Sequence, residues 1–423
     1  MSAGHALFLV ENLSVPADDR VWREACAVRD LGWSVSVVCP TGIGADRARR
    51  EVREGIEIHR FPAPPDRPGA VGLAREYAAA MWHLARMAHA IDRRRRVDVV
   101  HVANPPDLLV PVAASLRMRH PAAVVFDQHD LVPELVATRF PRLRPARWVA
   151  RALERSSYGL SDKVIVANEV FRGVALRRGR RPAGDVAVVR NAPDPARFAA
   201  VPPDPTLRRG RRHLAVYVGV MGPQDGADLA VRALARLRRD HGRDDVHAIF
   251  CGRGSELARC RMLAAELGVD DVVEFAGWQS REQVVRHLSS ADVALAPDPR
   301  NPLNDRSSMV KIAEYLAIGV PIVAFDLPET VRLAAGAARI VPGNDVAGFA
   351  RAIDDLLDDP AERDRMRTIA AERACGPGSW STARRTLETV YTDLAAALVE
   401  PPRAARTVEV PSGPTGRTGP LRH

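Results

Sequence analysis

The chain has 423 residues, of which 46% are hydrophobic, and this length and composition suit two or three globular domains. Its formal net charge is +9, an excess that suits nucleic acid, an anionic lipid surface or a phosphorylated substrate. Aromatic residues make up only 5% and no nucleic-acid-binding motif is visible, so we expect no nucleic-acid partner.

Five cysteines occur, an odd number without a Cys-x-x-Cys pair, so neither a zinc site nor a disulfide framework is predicted. The N-terminal sequence lacks the basic segment and the long apolar run of a signal peptide. No run approaches the roughly 18 apolar residues of a membrane-spanning helix. We therefore expect a cytoplasmic protein.

The first half of the chain alternates apolar strands with helical patterns, which is typical of a doubly wound α/β sheet. Its opening strand–helix–strand unit, with a helix predicted at 20–31, lacks the Gly-x-Gly-x-x-Gly sequence of dinucleotide-binding folds. We predict a first domain at 1–195, followed by a proline-rich, basic linker at 196–212. The strands predicted in this domain lie at 6–10, 35–39, 56–61, 98–102, 123–126, 163–167 and 186–189.

A second parallel α/β domain is predicted at 213–380, because strands and helices again alternate along it. A last helix is predicted at 381–400. The tail at 401–423 is rich in proline, glycine and arginine and should be disordered. The strands predicted in the second domain lie at 214–218, 247–250, 272–275, 293–296, 322–325 and 339–341.

Two basic stretches, 86–96 and 139–155, adjoin amphipathic helical patterns, and the second contains Trp148. One interpretation is that they lie against an anionic membrane, and the other is that they are solvated helix ends. A peripheral position at the inner face of the plasma membrane is therefore left open beside a freely cytoplasmic one.

The most informative stretch runs from 298 to 326 and contains Lys311, one of two lysines among 61 basic residues. Its pattern predicts a strand, a polar loop, a helix with Ser308 as N-cap and Gly319 just past its end, and another strand. In parallel α/β sheets ligands bind beyond the carboxyl ends of strands, where this loop lies.

Ser307, Lys311 and Glu314 share one side of the predicted helix. Lys311 and the preceding Arg306 oppose the helix macrodipole by about 0.3–1 kcal/mol each, which a bound diphosphate would reverse. Glu314 is placed to accept hydrogen bonds from sugar or ribose hydroxyls. The alternative is a solvated Lys311–Glu314 pair, worth a few tenths of a kcal/mol.

Polar residues at the ends of two predicted strands form a second group of candidates. His129 lies between Asp127 and Asp130, and such a histidine is either catalytic or the centre of a hydrogen-bonded loop. Four charged residues just after the first strand either face a cleft or cap and solvate the first helix. They are Glu11, Asp19, Arg20 and Arg23.

Several uncommon strings follow one another over residues 5–398, and with them the chain resembles a family 4 retaining glycosyltransferase. The branch it resembles makes bacterial polysaccharides and cell-surface glycans. The resemblance implies GT-B architecture: two Rossmann-like domains facing across a cleft, with the C-terminal helix packing back on the first. The strings are VENLSVPADDRVWREA, HVANPPDLL, DQHDLVPEL, VVRNAPD, YVGVMGPQDGADL, LAPDPRNPLNDRSSMVKIAEYLAIGVPIVAFDLPET and VPGNDV.

The resemblance also implies transfer of a sugar, with retention, from a nucleotide diphosphate sugar to a glycan, lipid-linked or small-molecule (secondary-metabolite) acceptor. The nucleotide sugar is a co-substrate, and neither a cofactor nor a metal is expected, in agreement with the absence of an Asp-x-Asp motif. The implied catalytic residues are His129 and Asp130, with Glu11, Asp19 and Arg20 on the acceptor side. The implied donor residues are Gly222, Asp305, Arg306, Ser308, Met309, Val310, Lys311 and Glu314 for the diphosphate and sugar, and Gly252, Arg253, Gly254 and Trp278 for the nucleoside.

The chain departs from the family pattern at three places. Arg306 stands where the motif has its first glutamate, with Asp305 one position away; the segment 220–225 carries no cation; and the first loop lacks the usual glycine pair. These departures predict a modified donor site. Two alternatives stay open, a nucleotide-sugar 2-epimerase of the same architecture and a non-catalytic nucleotide-sugar-binding protein.

Overall fold

The computed structural model describes residues 3–42, 44–63, 70–140, 144–195, 198–376 and 378–399. These residues form two α/β units, each built around one central sheet. The predicted two-sheet α/β architecture is therefore confirmed. The predicted linker at 196–212 lies between the last strand of the first sheet and the first strand of the second, and the tail predicted to be disordered lies outside the described residues.

The first sheet contains eight strands. They are β1 (His5–Leu9), β2 (Ser34–Pro40), β3 (Arg50–Arg53), β4 (Ile56–Phe61), β5 (Val99–Ala103), β6 (Ala123–Gln128), β7 (Lys163–Val166) and β8 (Val186–Val188). Their order is β3-β4-β2-β1-β5-β6-β7-β8, so the strand order reverses between β1 and β5 while the two strands stay parallel. Six helices accompany this sheet: α1 (Asp19–Asp30), α2 (Ala70–Arg94), α3 (Val110–Arg117), α4 (Val132–Arg139), α5 (Arg144–Leu160) and α6 (Glu169–Arg177).

One strand of this sheet was not predicted. All pairings between described neighbours are parallel except that of β3, which runs antiparallel to β4 at the edge. The sequence of β3, Arg-Glu-Val-Arg, has no apolar run because the strand is largely exposed. The central strands, in contrast, are buried on both faces: Ala6 and Phe8 of β1 pack into one core, and Leu7 and Leu9 pack into the other.

The second sheet contains six parallel strands. They are β9 (His213–Val218), β10 (Val246–Cys251), β11 (Val273–Gly277), β12 (Val293–Ala296), β13 (Ile322–Phe325) and β14 (Ala338–Val341), in the order β11-β10-β9-β12-β13-β14. The strand order reverses between β9 and β12, and in sheets of this kind ligands bind in the crevice beyond the carboxyl ends of the strands at such a point. Its helices are α7 (Ala227–His241), α8 (Leu257–Glu266), α9 (Arg281–Ser290), α10 (Val310–Ile318), α11 (Pro328–Leu333), α12 (Val346–Asp358) and α13 (Pro360–Cys375).

The last helix, α14 (Trp380–Val399), returns to the first unit as predicted. Its apolar side joins the core formed by β1, β2 and α1. The helix residues in that core are Trp380, Ala383, Leu387, Val390, Tyr391 and Leu394.

We expect Leu387→Ala to lower the free energy of unfolding by about 2–5 kcal/mol, because Leu387 is fully buried between α14 and the first unit. Chemical denaturation measures this change. Arg385→Ala, an exposed position on the same helix, is the matched control and should change the unfolding free energy by less than about 0.5 kcal/mol. Equal effects of the two substitutions would contradict the packing of α14.

Candidate active site between the two units

The N-terminus of α10 differs from the prediction, because Met309 rather than Ser308 is its N-cap. The hydroxyl of Ser308 is engaged elsewhere: it donates to Oε2 of Glu329 at 3.2 Å and accepts from Nδ2 of Asn168 at 3.1 Å. No described side chain caps α10. The N–H groups of its first turn are therefore free of a side-chain partner, an arrangement that favours an anion.

Lys311 is buried rather than solvated, so the interpretation as an exposed Lys311–Glu314 pair is wrong. Its Nζ lies 2.7 Å from Oδ1 of Asp298 and 4.7 Å from the ring centre of Tyr217. Burial alone lowers the pKa of Lys311, but the Asp298 carboxylate, together with Tyr217, Tyr315 and Asp225, outweighs burial and the pKa is raised. A Cβ on Gly219, which follows β9, would lie 3.1 Å from Cε of Lys311. Lys311 therefore lies close to the point between β9 and β12 where the strand order of the second sheet reverses.

Glu314, one turn further along α10, is half-buried. Burial, reinforced by the nearby Asp19 carboxylate, raises its pKa to about 7. The structure gives its carboxylate no hydrogen bond or ion pair within the described part of the chain. Glu314 is thus a desolvated acceptor that faces the space between the two units.

On the opposite side of that space, Arg20 of α1 and His129 both contact Asp127, near the carboxyl end of β6. Arg20 donates from Nη2 to Oδ1 of Asp127 at 2.6 Å and from Nη1 to the carbonyl of Val189 at 2.8 Å. Nε2 of His129 lies 2.5 Å from Oδ2 of the same carboxylate. The two cationic side chains are therefore held by one fully buried acid.

These contacts determine the charges in the group. Burial raises the pKa of Asp127, but Arg20 and His129 outweigh it and hold that pKa well below its usual range. Burial lowers the pKa of His129, and the Asp127 carboxylate reverses the effect and raises it. For Asp130, burial dominates and the pKa is raised. The group favours a protonated imidazole at the edge of the cleft.

The loop that carries His129 is fixed by Asn104, which follows β5. Oδ1 of Asn104 accepts from the backbone N–H of His129 at 2.6 Å and from that of Asp130 at 3.1 Å. Its Nδ2 donates to Oδ1 of Asp107 at 2.8 Å and to the carbonyl of Asp130 at 2.9 Å. Asn104 was not among the predicted site residues, although its position just after a predicted strand was a usable signal.

A further buried layer lies behind Asp127 and was also missed. His101 of β5 lies 3.4 Å from Glu24 and 3.6 Å from Asp127 through Nε2, and its Nδ1 lies 2.9 Å from the hydroxyl of Tyr391 on α14. A histidine inside an otherwise apolar strand was the available signal.

Three members of the group have the composition of a metal site. Ligand atoms of Glu24, Asp127 and His129 lie within 4.8 Å of one another. The guanidinium of Arg20 already contacts both carboxylates, at 3.1 Å from Glu24 and 2.6 Å from Asp127. The negative charge that would attract a cation is thus matched by an arginine.

Members of both sets line one cleft of about 360 Å³, and Lys311 and Asp127 lie behind its lining. Asp19, whose carboxylate forms an ion pair at 2.7 Å with Arg281 of the second unit, lies at its edge. The predicted residues that the cleft brings together are Asp19, Arg20, Arg23, His129 and Asp130 from the first unit and Val310 and Glu314 from the second.

Other predicted residues have different surroundings. The N–H of Gly222 donates to Asp225 at 2.9 Å, and Asp305 forms an ion pair with Arg300 at 2.6 Å. Glu11 is buried outside the cleft lining, and burial, with Glu76 nearby, raises its pKa to about 7.

Arg306 is turned toward the first unit. Its carbonyl accepts from Nδ2 of Asn168 at 3.0 Å, and its guanidinium lies 3.6 Å from Glu134. The structure thus joins Arg306 to acceptors of the first unit, and a negative charge from the donor would have to compete with Glu134 for it.

The predicted nucleoside residues follow β10 and β11. A Cβ on Gly252 would collide with the carbonyl oxygen of Gly219, and one on Gly254 with that of Met221. Both glycines are therefore needed where the loops after β9 and β10 cross. Arg253 is exposed, and Trp278 has 64% of its surface exposed.

Two Rossmann-like units that face across a cleft, with the last helix returning to the first, define the GT-B class of glycosyltransferases. Sucrose-phosphate synthase from Thermosynechococcus elongatus has this fold: it superposes with a TM-score of 0.76 at 19% identity, covering 93% of this chain and all of that one. The Anabaena HepE structure in complex with UDP-glucose superposes with a TM-score of 0.66 at 15% identity, covering 92% of this chain and all of that one.

Sequence comparison defines the family. Residues 17–192 match the glycosyl transferase 4-like domain, and residues 203–373 match the domain of glycosyl transferases group 1. Glycogen synthase from Mycobacterium tuberculosis (strain ATCC 25618 / H37Rv) is 28% identical over 376 residues, which is 84% of each chain. The chain belongs to the family of GT-B glycosyltransferases that these two domains define, and the predicted resemblance to family 4 is confirmed.

We expect Asp127→Asn to lower the pKa of His129, because burial would still disfavour the imidazolium while the carboxylate that outweighs burial would be gone. NMR titration of the histidine ring protons measures the change. Asp130→Asn is the control, since Asp130 does not bond to the imidazole. A His129 pKa that moved equally in both variants would contradict the assignment.

The same contact sets a pH dependence of stability. The folded-state pKa of His129 lies above its ordinary value of 6.5, so its ion pair stabilises the fold fully below about pH 6.5. That contribution is lost as the pH rises through the raised pKa. The difference in unfolding free energy between the wild-type protein and His129→Gln should therefore shrink from pH 5.5 to pH 9, and a constant difference would contradict the ion pair.

Proposed function

We propose that the protein transfers a glycosyl group from a nucleotide diphosphate sugar to an acceptor hydroxyl, with retention of anomeric configuration and without a resident metal. The observation that carries the proposal is the cleft itself. It sets the uncapped N-terminus of α10 and the unpaired carboxylate of Glu314 opposite the His129–Asp127–Arg20 group.

The donor would bind to the second unit. Free N–H groups at the start of α10 suit a diphosphate. Lys311 lies close behind them, with one of its three N–H bonds used by Asp298. Glu314 would accept from ribose or sugar hydroxyls, and the loops at 252–254 and 277–278 would flank the base. The UDP-glucose bound to the Anabaena structure supports a donor of this class.

In the proposed reaction the bond between the sugar C1 and the phosphate oxygen breaks, and the acceptor oxygen bonds to C1 on the same face. The acceptor proton passes to the departing phosphate. The chain then has two tasks, positioning the substrates and stabilising negative charge. His129, protonated through Asp127, supplies a hydrogen-bond donor on the sugar side, and Asp130 lies next to it.

The acceptor is not fixed by the relatives, because glycogen synthase and sucrose-phosphate synthase are named for different products. Membrane contact remains a prediction. No described helix is both long and apolar enough to cross a membrane. Trp82 on α2 and Trp148 on α5 are exposed, and sedimentation with anionic vesicles, against neutral vesicles as control, tests whether these helices bind a lipid surface.

Retention can be tested without knowing the acceptor, by using water. UDP-, ADP-, GDP- and TDP-glucose are each incubated with the protein, and ¹H NMR records the first anomer of glucose released. We expect α-glucose, because these donors are α-linked. β-Glucose as the first product would contradict retention, and an epimerised nucleotide sugar without free glucose would support the epimerase alternative.

Lys311 provides a second test. Lys311→Ala would leave Asp298, which is 1% exposed, as an unpaired buried charge, so it should lose stability as well as donor affinity. The double variant Lys311→Met, Asp298→Asn removes both charges and separates the two effects. We expect the Kd for UDP, measured by calorimetry, to rise at least about tenfold in the folded double variant, equivalent to about 1.4 kcal/mol.

Lys163→Met is the matched control, because Lys163 is the only other lysine of the chain and its partner Asp185 lies in the first unit. Its Kd for UDP should equal that of the wild-type protein. An unchanged Kd in the double variant would remove Lys311 from the donor site.

A further inference from the structure

The first unit carries an open apolar groove of about 600 Å³ between α2, α4 and α5. Of its lining residues only Asp107 is charged, and that carboxylate accepts from Asn104. Its floor is formed by residues 105–108, and the principal apolar side chains of its walls are Tyr77, Met81, Leu135, Phe140, Val149 and Leu153.

One wall of the groove is an apolar stripe on helix α5. Ala146, Val149, Ala150 and Leu153 follow helical spacing and line it together. Val149 remains 59% exposed although it belongs to this apolar stripe. An uncovered apolar groove of this size is typical of a binding site, and its volume lies within the range of small-molecule pockets.

The groove adjoins the cleft. Pro105 lines both, and Asn104, the residue before it, holds the backbone of His129 and Asp130. A molecule that occupies both sites would pass Pro105, on the side of the cleft away from α10.

The surface of α5 carries positive charge outside the apolar groove, because the described residues that line the groove include none of its arginines. Its one acid, Glu154, is buried and forms an ion pair with Arg178 at 3.0 Å, so the charges left on the helix surface are positive. Nε of Arg151 is buried and has no hydrogen-bond partner among the described residues. The basic residues of this helix are Arg144, Arg147, Arg151 and Arg155.

We propose that the groove binds the apolar chain of the acceptor, and that the acceptor is an amphiphile whose head carries the reacting hydroxyl. The apolar walls fit an acyl or isoprenoid chain. This inference rests on the proposed function, because the head must reach His129.

Chain binding is tested with 11-(dansylamino)undecanoic acid, a fluorescent carboxylate with a ten-methylene chain, and with dansylglycine as the short-chain control. We expect the long probe to gain fluorescence on binding and the short one not to. Val149→Asp should weaken binding of the long probe at least tenfold. Trp148→Asp is the matched control: it is 72% exposed on the same helix, lies outside the groove, and should stay within twofold of wild type.

Three outcomes would overturn the proposal. The first is unchanged binding in Val149→Asp. The second is equal loss in both variants, which would indicate a lipid-surface contact along α5 instead of a groove. The third is displacement of the probe by UDP, which would place the chain in the donor site. If Val149→Asp does not fold, Ala146→Asp, in the same stripe, replaces it.

Hydrolysis of the nucleotide glucose donor separates this inference from the proposed function. Val149→Asp should hydrolyse the donor within twofold of the wild-type rate, because the groove does not touch α10. A wild-type protein that hydrolyses no donor would contradict the proposed function while leaving the probe measurement readable. Loss of donor hydrolysis in a folded Val149→Asp variant would contradict the separation of the groove from the donor side.

Discussion

The buried contact between Arg20 and Asp127 is the interaction around which the cleft is built. It joins α1 to β6, and the same guanidinium reaches the carbonyl of Val189 just after β8, so three elements of the first unit meet at one charge pair. A buried ion pair contributes little net stability, but removal of one partner destabilises the folded protein by about 3–5 kcal/mol. The pair therefore acts mainly as a positional constraint: it presents one carboxylate oxygen to His129 and keeps the imidazole protonated at the cleft edge.

The second unit uses the same arrangement in a different place. Lys311 and Asp298 form a buried ion pair beside the crevice where the strand order of the second sheet reverses. Each unit thus contains a buried cation, Arg20 or Lys311, that is paired with a buried acid instead of being solvated by water. In the proposed reaction, negative charge entering the cleft would meet the N–H groups of α10 and the cationic groups on both sides, a preorganised environment of the kind that stabilises a departing phosphate. The ion pair between Asp19 and Arg281 holds the two sides near one another.

Sequence alone was sufficient where a single local pattern decided the structure. The strands Ile56–Phe61, Val293–Ala296 and Ile322–Phe325 lie at the predicted residues because short apolar runs between turn residues define them. It failed where a distant partner decided. Ser308 is a good N-cap by type, but Glu329 and Asn168 use its hydroxyl. The spacing of Lys311 and Glu314 allowed a solvated pair, but in the structure Lys311 is buried against Asp298. His101, Glu24 and Tyr391 come from three separate segments, and no spacing along the chain connects them.

Recognition of a nucleoside diphosphate by the cleft can be measured with a thermal-shift screen. The wild-type protein is heated with each of UDP, ADP, GDP, TDP and CDP, and with the matching monophosphates as controls. Binding to the folded state alone raises stability by about 2.7 kcal/mol at one hundred times the Kd. We expect a selective rise in Tm with one diphosphate, larger than that with its monophosphate. A folded protein that no nucleoside diphosphate stabilises at millimolar concentration would contradict it.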